Sequence, residues 1–208
     1  DDNIILSIKT IFSSLFYSSE KMEIDFYTTG LTDFSKQRIK KLFLKCLNIN
    51  SINIFSDMLA ASRALFNNSQ GIACILGTGS NCAYFDGQIN HEITFSTGYL
   101  LGDQGSGYEL GNLFLRHYFK KNIPIEISDV FEKTTNLNRL ELISSIYNSD
   151  NPKFYIASFS KFVKQYEKHP FFTKMIIDSF SSFLKENPFK YTNFQSLQFG
   201  FVGSVAFN

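Results

Sequence analysis

Residues 71–85 read Gly71-Ile72-Ala73-Cys74-Ile75-Leu76-Gly77-Thr78-Gly79-Ser80-Asn81-Cys82-Ala83-Tyr84-Phe85, and this stretch decides the fold. The unbroken apolar run to Leu76 is too short for an ordinary helix and predicts a strand buried on both faces. Gly77 to Asn81 are turn-forming residues, and Cys82 to Phe85 predicts a second strand. Asp86-Gly87 then turns the chain into a third, over Ile89 to Phe95. The three form a β-meander that opens a new region after Asn67-Asn68-Ser69.

Upstream of that break, helical and β-rich segments alternate. Residues 2–16 carry apolar side chains at helical spacing (Ile5, Ile8, Ile11, Phe12, Leu15, Phe16). Met22 to Tyr27 predicts a strand ended by Thr28-Thr29-Gly30. Residues 33–47 predict a helix capped by Thr32 or Asp33. Ser51 to Phe55 predicts a strand, and Ser56 to Phe66 an alanine-rich helix. Such alternation favours an α/β layer with parallel strands. Downstream, the chain beyond Gly111 reads as helical to about Lys185, with breaks at Pro124, Pro152 and Pro170, and returns to a strand over Leu197 to Val202. The expected fold class is α/β, with residues 1–68 belonging to one region and 69–208 to a second.

Composition narrows the function. Twenty basic residues balance nineteen acidic ones, leaving a net charge of +1. That leaves no basic excess to neutralise a nucleic-acid backbone, so nucleic acid is not an expected partner. The short basic run from Lys36 to Lys45 is the solvated face of a helix. The three cysteines, Cys46, Cys74 and Cys82, show neither disulfide-framework nor zinc-site spacing. His91, His117 and His169 have no metal-ligand spacing, so no metal site of the protein's own is expected. No apolar run approaches a membrane span and no signal-peptide layout opens the chain, so a cytoplasmic protein is expected.

Three segments carry candidate chemistry. In Gly77-Thr78-Gly79-Ser80-Asn81 the glycines let backbone N–H groups approach an anion, and the Thr78 and Ser80 hydroxyls add donors. The same residues also suit a plain hairpin turn. In Gly98-Tyr99-Leu100-Leu101-Gly102-Asp103-Gln104-Gly105-Ser106-Gly107, Asp103 can accept hydrogen bonds from hydroxyls, or Asp103 or Ser106 can cap the following helix. Asp57 stands just past a strand at the first turn of a helix, where a carboxylate can act as general base or cap the helix together with Ser56.

In order and spacing these segments resemble the N-acetylglucosamine kinases and the related BadF/BcrA-type ATPases of the sugar kinase and actin superfamily. The matching stretches are Tyr27 to Gly30, Ser56 to Ala64, Gly71 to Asn81, Gly98 to Gly107, and Val202-Gly203-Ser204-Val205. The resemblance implies a two-lobe, actin-like (ribonuclease H-like) ATPase fold, with residues 1–68 as the remainder of the first lobe and an ATP cleft between the lobes. It implies an ATP- and Mg²⁺-dependent kinase that phosphorylates the 6-hydroxyl of an amino sugar, N-acetylglucosamine, and it admits a homodimer. Asp57 matches the catalytic base. Gly77, Thr78 and Gly79 match a phosphate loop, and Gly203 and Ser204 the turn supporting adenosine. Ser80, Asn81, Gly98 and Asp103 match sugar-contacting positions. The Leu59 to Phe66 helix matches a connecting helix on which the lobes pivot.

The chain departs from the family pattern in several places. It shows no Asp-Gly-Gly-x-Thr, the first phosphate loop, and it stops just past Gly203-Ser204. The fold is therefore expected to be incomplete at both ends, and the 208-residue piece inactive by itself. Thr97 stands where the animal kinases have tryptophan, and Gln104 where they have an acid. The alternatives from other classes are an ATPase switch that activates a partner enzyme, and a sugar sensor without catalysis.

Overall fold

The computed structural model describes residues 2–13 and 22–207. The chain forms two compact units, Asp1–Ala60 and Ala61–Asn208.

The first unit begins with α1 (Asp2–Ser13) and continues through β1 (Met22–Thr28), α2 (Asp33–Cys46) and β2 (Ile49–Ser56) to the first turn of α3 (Asp57–Phe66). Of the helix expected over 2–16, residues 14–16 lie outside the described residues, as do the side chains of Ile5 and Phe12. The Thr32 hydroxyl accepts the Ser35 amide while the Ser35 hydroxyl accepts the Thr32 amide, a reciprocal cap that fixes where α2 starts. β1 and β2 pair in parallel, with Thr28 opposite Ser56. The turn after β1 and the start of α3 therefore lie at one carboxyl edge of the sheet, where open α/β sheets bind ligands. Ile8, Phe43, Ile49, Ile52 and Ile54 close the core.

The second unit contains β3 (Gly71–Leu76), β4 (Ser80–Phe85) and β5 (Asn90–His91), then a helical layer. That layer comprises α4 (Gly98–Leu101), α5 (Gly107–Phe119), α6 (Ile125–Thr135), α7 (Arg139–Tyr147), α8 (Pro152–Ser158), α9 (Ser160–Gln165) and α10 (Pro170–Glu186). Two short 3₁₀ turns lead to β6 (Phe199–Val202) and α11 (Ser204–Phe207). The sheet order is β5-β4-β3-β6, antiparallel except for the parallel β3–β6 pair. Pro124 is the N-cap of α6, while Pro152 and Pro170 are the first residues of α8 and α10. A missing N–H costs nothing at a helix start, so each proline break is also a beginning.

The strand expected over 89–95 is cut to Asn90–His91. The Tyr191 hydroxyl donates to the His91 carbonyl at 2.9 Å and faces the Ile93 amide at 3.4 Å. A side chain from a hundred residues away takes over the pairing that would have extended the strand.

One face of the sheet packs Ile72, Cys74, Leu76 and Cys82 against Phe183 and Tyr191. On the other, Phe66 lies directly over Gly71 and Gly200, where any β-carbon would meet its ring. The helical layer has its own aromatic core. Phe114 and Tyr118 meet Phe131 edge-on, with ring centroids 4.7 and 4.8 Å apart. Each such buried side chain contributes about 1.5–3 kcal/mol, so the layer stands on its own packing. Among the described residues no helix is long and apolar enough to cross a membrane.

Candidate functional site

The site in the second unit grows from the turn between β3 and β4. The ladder closes at Leu76–Ser80, leaving Gly77, Thr78 and Gly79 to reverse the chain. Gly77 N–H donates to Gly79 C=O at 2.9 Å, curling the turn on itself. Its outward carbonyls dock on the start of α5, where Gly107 N–H donates to Gly77 C=O at 2.8 Å and Tyr108 N–H to Thr78 C=O at 3.1 Å. Amides that a helix leaves unpaired at its N-terminus are thereby spent on holding the turn. Ser80 N–H is also engaged, by Asp103 Oδ1 at 3.0 Å. Thr78 and Gly79 keep amides that donate to no protein acceptor among the described residues. Two adjacent free amides on a clamped turn suit an anion.

Gly203 abuts this turn. Its φ is +111°, and a β-carbon there would come within 2.3 Å of Leu76 C=O. Glycine is required on both counts. The approach brings Ser204 and Val205 to the wall of a cavity of about 550 Å³ that Gly77 and Thr78 also line. Leu110, Ile176 and Phe180 give the cavity an apolar interior, and its wall also carries Lys161 and the Lys164–Glu167 ion pair, 2.8 Å apart. Its size and lining fit a nucleoside-sized ligand with an anionic end. Gly77 and Thr78 of one turn and Ser204 of the other thus line one cavity.

The loop from Gly98 to Gly107 lies against the other side of the turn. Asp103 adopts φ +64° and buries its carboxylate, whose side chain is only 3% exposed. Lys153 Nζ lies 2.9 Å from Asp103 Oδ2, close enough for an ion pair but off the direction of a hydrogen bond. Gly79 makes room for both charges, since a β-carbon there would sit 2.7 Å from Oδ2 and 2.8 Å from Nζ. Gly105 N–H donates to Glu109 Oε2 at 2.6 Å and faces Ser179 Oγ at 3.1 Å, while the Ser179 hydroxyl donates to the same Glu109 oxygen. Burial holds the Glu109 carboxyl above its usual range, against the lowering pull of Ser179 and Gly105. The Ser106 hydroxyl accepts the Glu109 amide, so Ser106 rather than Asp103 caps α5. Gly98, at φ +68°, opens α4. Asn81 turns its Oδ1 to the Cys82 amide at 2.8 Å, leaving its NH₂ group as the end able to meet a ligand.

In the first unit, Asp57 is half-buried at the carboxyl edge of β2. The Ser56 hydroxyl accepts the Leu59 amide at 3.2 Å and so supplies the cap of α3, while Asp57 Oδ1 accepts the Met58 amide at 2.9 Å.

A solved structure of a proposed N-acetylglucosamine kinase from Porphyromonas gingivalis matches this chain with a TM-score of 0.91 and 34% sequence identity, over 99% of this chain and 73% of that one. The chain belongs to the N-acetylglucosamine kinase family. Another proposed N-acetylglucosamine kinase, from Chromobacterium violaceum, matches with a TM-score of 0.67 over 98% of this chain and 72% of that one. Its 12% identity shows the shared fold alone. No family model and no curated protein matches the chain.

Within this N-acetylglucosamine kinase-family chain, sequence reasoning missed Lys153, Glu109 and Ser179. Lys153 follows Asp150-Asn151-Pro152, a helix start whose cap is the Asn151 side chain, and it reads locally as one more solvated lysine. Cys74 and Cys82 face each other across the sheet, Sγ to Sγ 3.9 Å. Their mutual hydrogen bond and burial push the Cys82 thiol well above its usual range, which makes it unreactive.

Proposed function

We propose that the chain is an ATP- and Mg²⁺-dependent kinase that transfers the γ-phosphoryl group to the 6-hydroxyl of an amino sugar, N-acetylglucosamine. The observation that carries this reading is the single cavity lined by Gly77, Thr78 and Ser204, beside a loop that pins Asp103 to the same turn. In this reading Gly77, Thr78, Gly79, Gly203 and Ser204 hold the nucleotide, and the flat faces of its base pack against the apolar lining of the cavity. Ser80, Asn81, Gly98 and Asp103 hold the sugar. Asp57 takes the proton from the attacking hydroxyl. The reading takes the fold as an actin-like pair of lobes, 1–68 and 69–208, whereas the two compact units of the chain part between Ala60 and Ala61.

Phosphoryl transfer asks for positioning and charge neutralisation rather than covalent help. In this reading the Thr78 and Gly79 amides donate to phosphate oxygens, and donors fixed on a clamped turn need no reorganisation as charge moves. Asp57 as general base supplies roughly 10²–10⁴ in rate. Among the described residues no cluster of three or more metal-ligating side chains occurs. Mg²⁺ would come on the substrate phosphates with its own waters, asking the protein for one or two carboxylates. Bound so, it would neutralise phosphate charge.

The test is titration of the full-length protein with N-acetylglucosamine and with ATP, followed by a coupled assay for sugar-dependent ADP release. Binding of both ligands and release that requires the sugar are expected. ADP release indifferent to sugar would replace the kinase with an ATPase switch, and sugar binding without turnover would leave a sensor.

A further inference from the structure

The helix α8 packs on α5 with little between the backbones. A β-carbon on Gly111 would lie 2.0 Å from the Ile156 carbonyl, so this glycine sets how near α8 comes. That approach carries Lys153, in the first turn of α8, over the Gly98–Gly107 loop. Its ammonium lies 2.9 Å from Asp103 Oδ2 and 5.6 Å from the centre of the Tyr99 ring, and its side chain is 28% exposed. Tyr99 in turn meets Tyr108 edge-on, with ring centroids 5.0 Å apart. Lys153 thus touches both ends of the loop's first half, and it faces Gly79 from above.

Asp103 cannot sit as it does unaided. A carboxylate buried to this degree needs a counter-charge, and Ser80 N–H alone is a neutral donor. We infer that Lys153 is the positioning residue of the sugar subsite, acting through Asp103. It holds the carboxylate against the Ser80 amide, and so locks the sugar loop to the phosphate turn before any ligand arrives. Each carboxylate oxygen accepts from two directions. Asp103 held in this way is ordered in advance, and a freely rotating carboxylate would have to be ordered by the sugar itself. The sugar half of the inference rests on the reading of Asp103 given under the proposed function.

The experiment uses Lys153→Met and Lys153→Arg in the full-length protein, with two readouts. Amide hydrogen exchange at Ser80, in the absence of ligand, reports the Asp103 bond. Lys153→Met is expected to speed that exchange by about tenfold, the equivalent of one net hydrogen bond, and Lys153→Arg to restore it. The second readout is affinity. N-acetylglucosamine binding is expected to weaken about tenfold or more in Lys153→Met, with ATP binding changed less than about twofold, because the loss passes through one charge-assisted contact. In an Asp103→Asn background the same substitution should cost nothing further, since a residue acting through another loses its effect with it. Unchanged Ser80 exchange in Lys153→Met, or a full loss of sugar affinity in the Asp103→Asn background, overturns the inference. The second of those results would make Lys153 a direct ligand contact. If wild-type protein binds no sugar while Ser80 exchange responds as stated, the positioning role stands and the kinase reading falls.

Discussion

Asp57 opens a helix at a strand end and Asp103 stands just before one in a turn-rich loop, yet the two regions treat their carboxylates in opposite ways. Asp57 is half-buried at the edge of a parallel strand pair, with a neighbouring backbone amide as its bonded partner. Asp103 is buried, held at positive φ, bonded to Ser80 and paired with Lys153. A general base must pick up and release a proton, which a locked and charge-paired carboxylate does poorly. A group that orients a substrate should be fixed in advance, which a loosely held one is not. Under the proposed function, this contrast suits the roles that the family resemblance implies, a base in Asp57 and a sugar contact in Asp103.

The largest expected effect breaks the comparison on the catalytic side. Asp57→Asn should lower turnover by roughly 10²-fold or more while sugar and ATP still bind. Its melting temperature should stay near wild type, because Ser56 and not Asp57 supplies the α3 cap. Near-normal turnover in steady-state assays would move the base elsewhere. Next in size, Asp103→Ala should weaken N-acetylglucosamine binding by about 1.5–3 kcal/mol in calorimetric titration, the worth of a hydrogen bond to a charged group. Unlike the Asp57 variant, it should also lower the melting temperature, since it strips Lys153 and Ser80 of their shared partner. A variant that lost sugar affinity without losing stability would mean that Asp103 is not locked in the free protein.

Legibility in the sequence follows the same division. The strands expected over 22–27, 51–55, 71–76 and 82–85 are readable because each is a short β-rich run between turn residues, and pairing lengthens three of them, to 22–28, 49–56 and 80–85. Gly77, Thr78 and Ser204 could be linked by motif order, although more than a hundred residues separate them, and they do line one cavity. What stayed hidden depends on distant partners. The early end of β5 is set by Tyr191. The docking of the turn on α5 uses backbone groups that carry no sequence signature. Lys153 reaches Asp103 only because Gly111 lets two helices close up, and neither residue signals the other along the chain.

A smaller effect sharpens the picture of the buried loop. Burial raises the Glu109 carboxyl above its ordinary value of 4.5, so its proton favours the folded state. That contribution is present in full below the unfolded value and is lost as pH rises through the folded one. Melting temperature should therefore fall over that window in wild type and fall less in Glu109→Gln, whose amide carbonyl can still accept from Gly105. Identical profiles would remove burial as the dominant influence on Glu109. The smallest effect is a surface control. Asp86 accepts from His91, Ile89 and Gln88, which lower its carboxyl to about 2. Its stabilisation of the 86–91 turn is present above the ordinary value of 3.8 and disappears as pH falls through the lowered one. Carboxyl chemical shifts followed by NMR would check this, and a midpoint near 3.8 would mean that the turn is open in solution.

The parallel pairing of β3 with β6 has a consequence for how the polypeptide is made. During synthesis β3 and β4 emerge together and can zip at once, but the other edge of β3 stays unclaimed until residues 199–202 arrive. The whole helical layer is threaded into that interval. Closing so long a loop adds little to the final equilibrium cost, which grows only as the logarithm of its length, yet it slows assembly because the pairing is non-local. An apolar strand with one bare edge is open to pairing with another nascent chain for as long as the wait lasts. Slower translation between Ser106 and Gln198 would therefore raise aggregation without altering any contact of the finished fold.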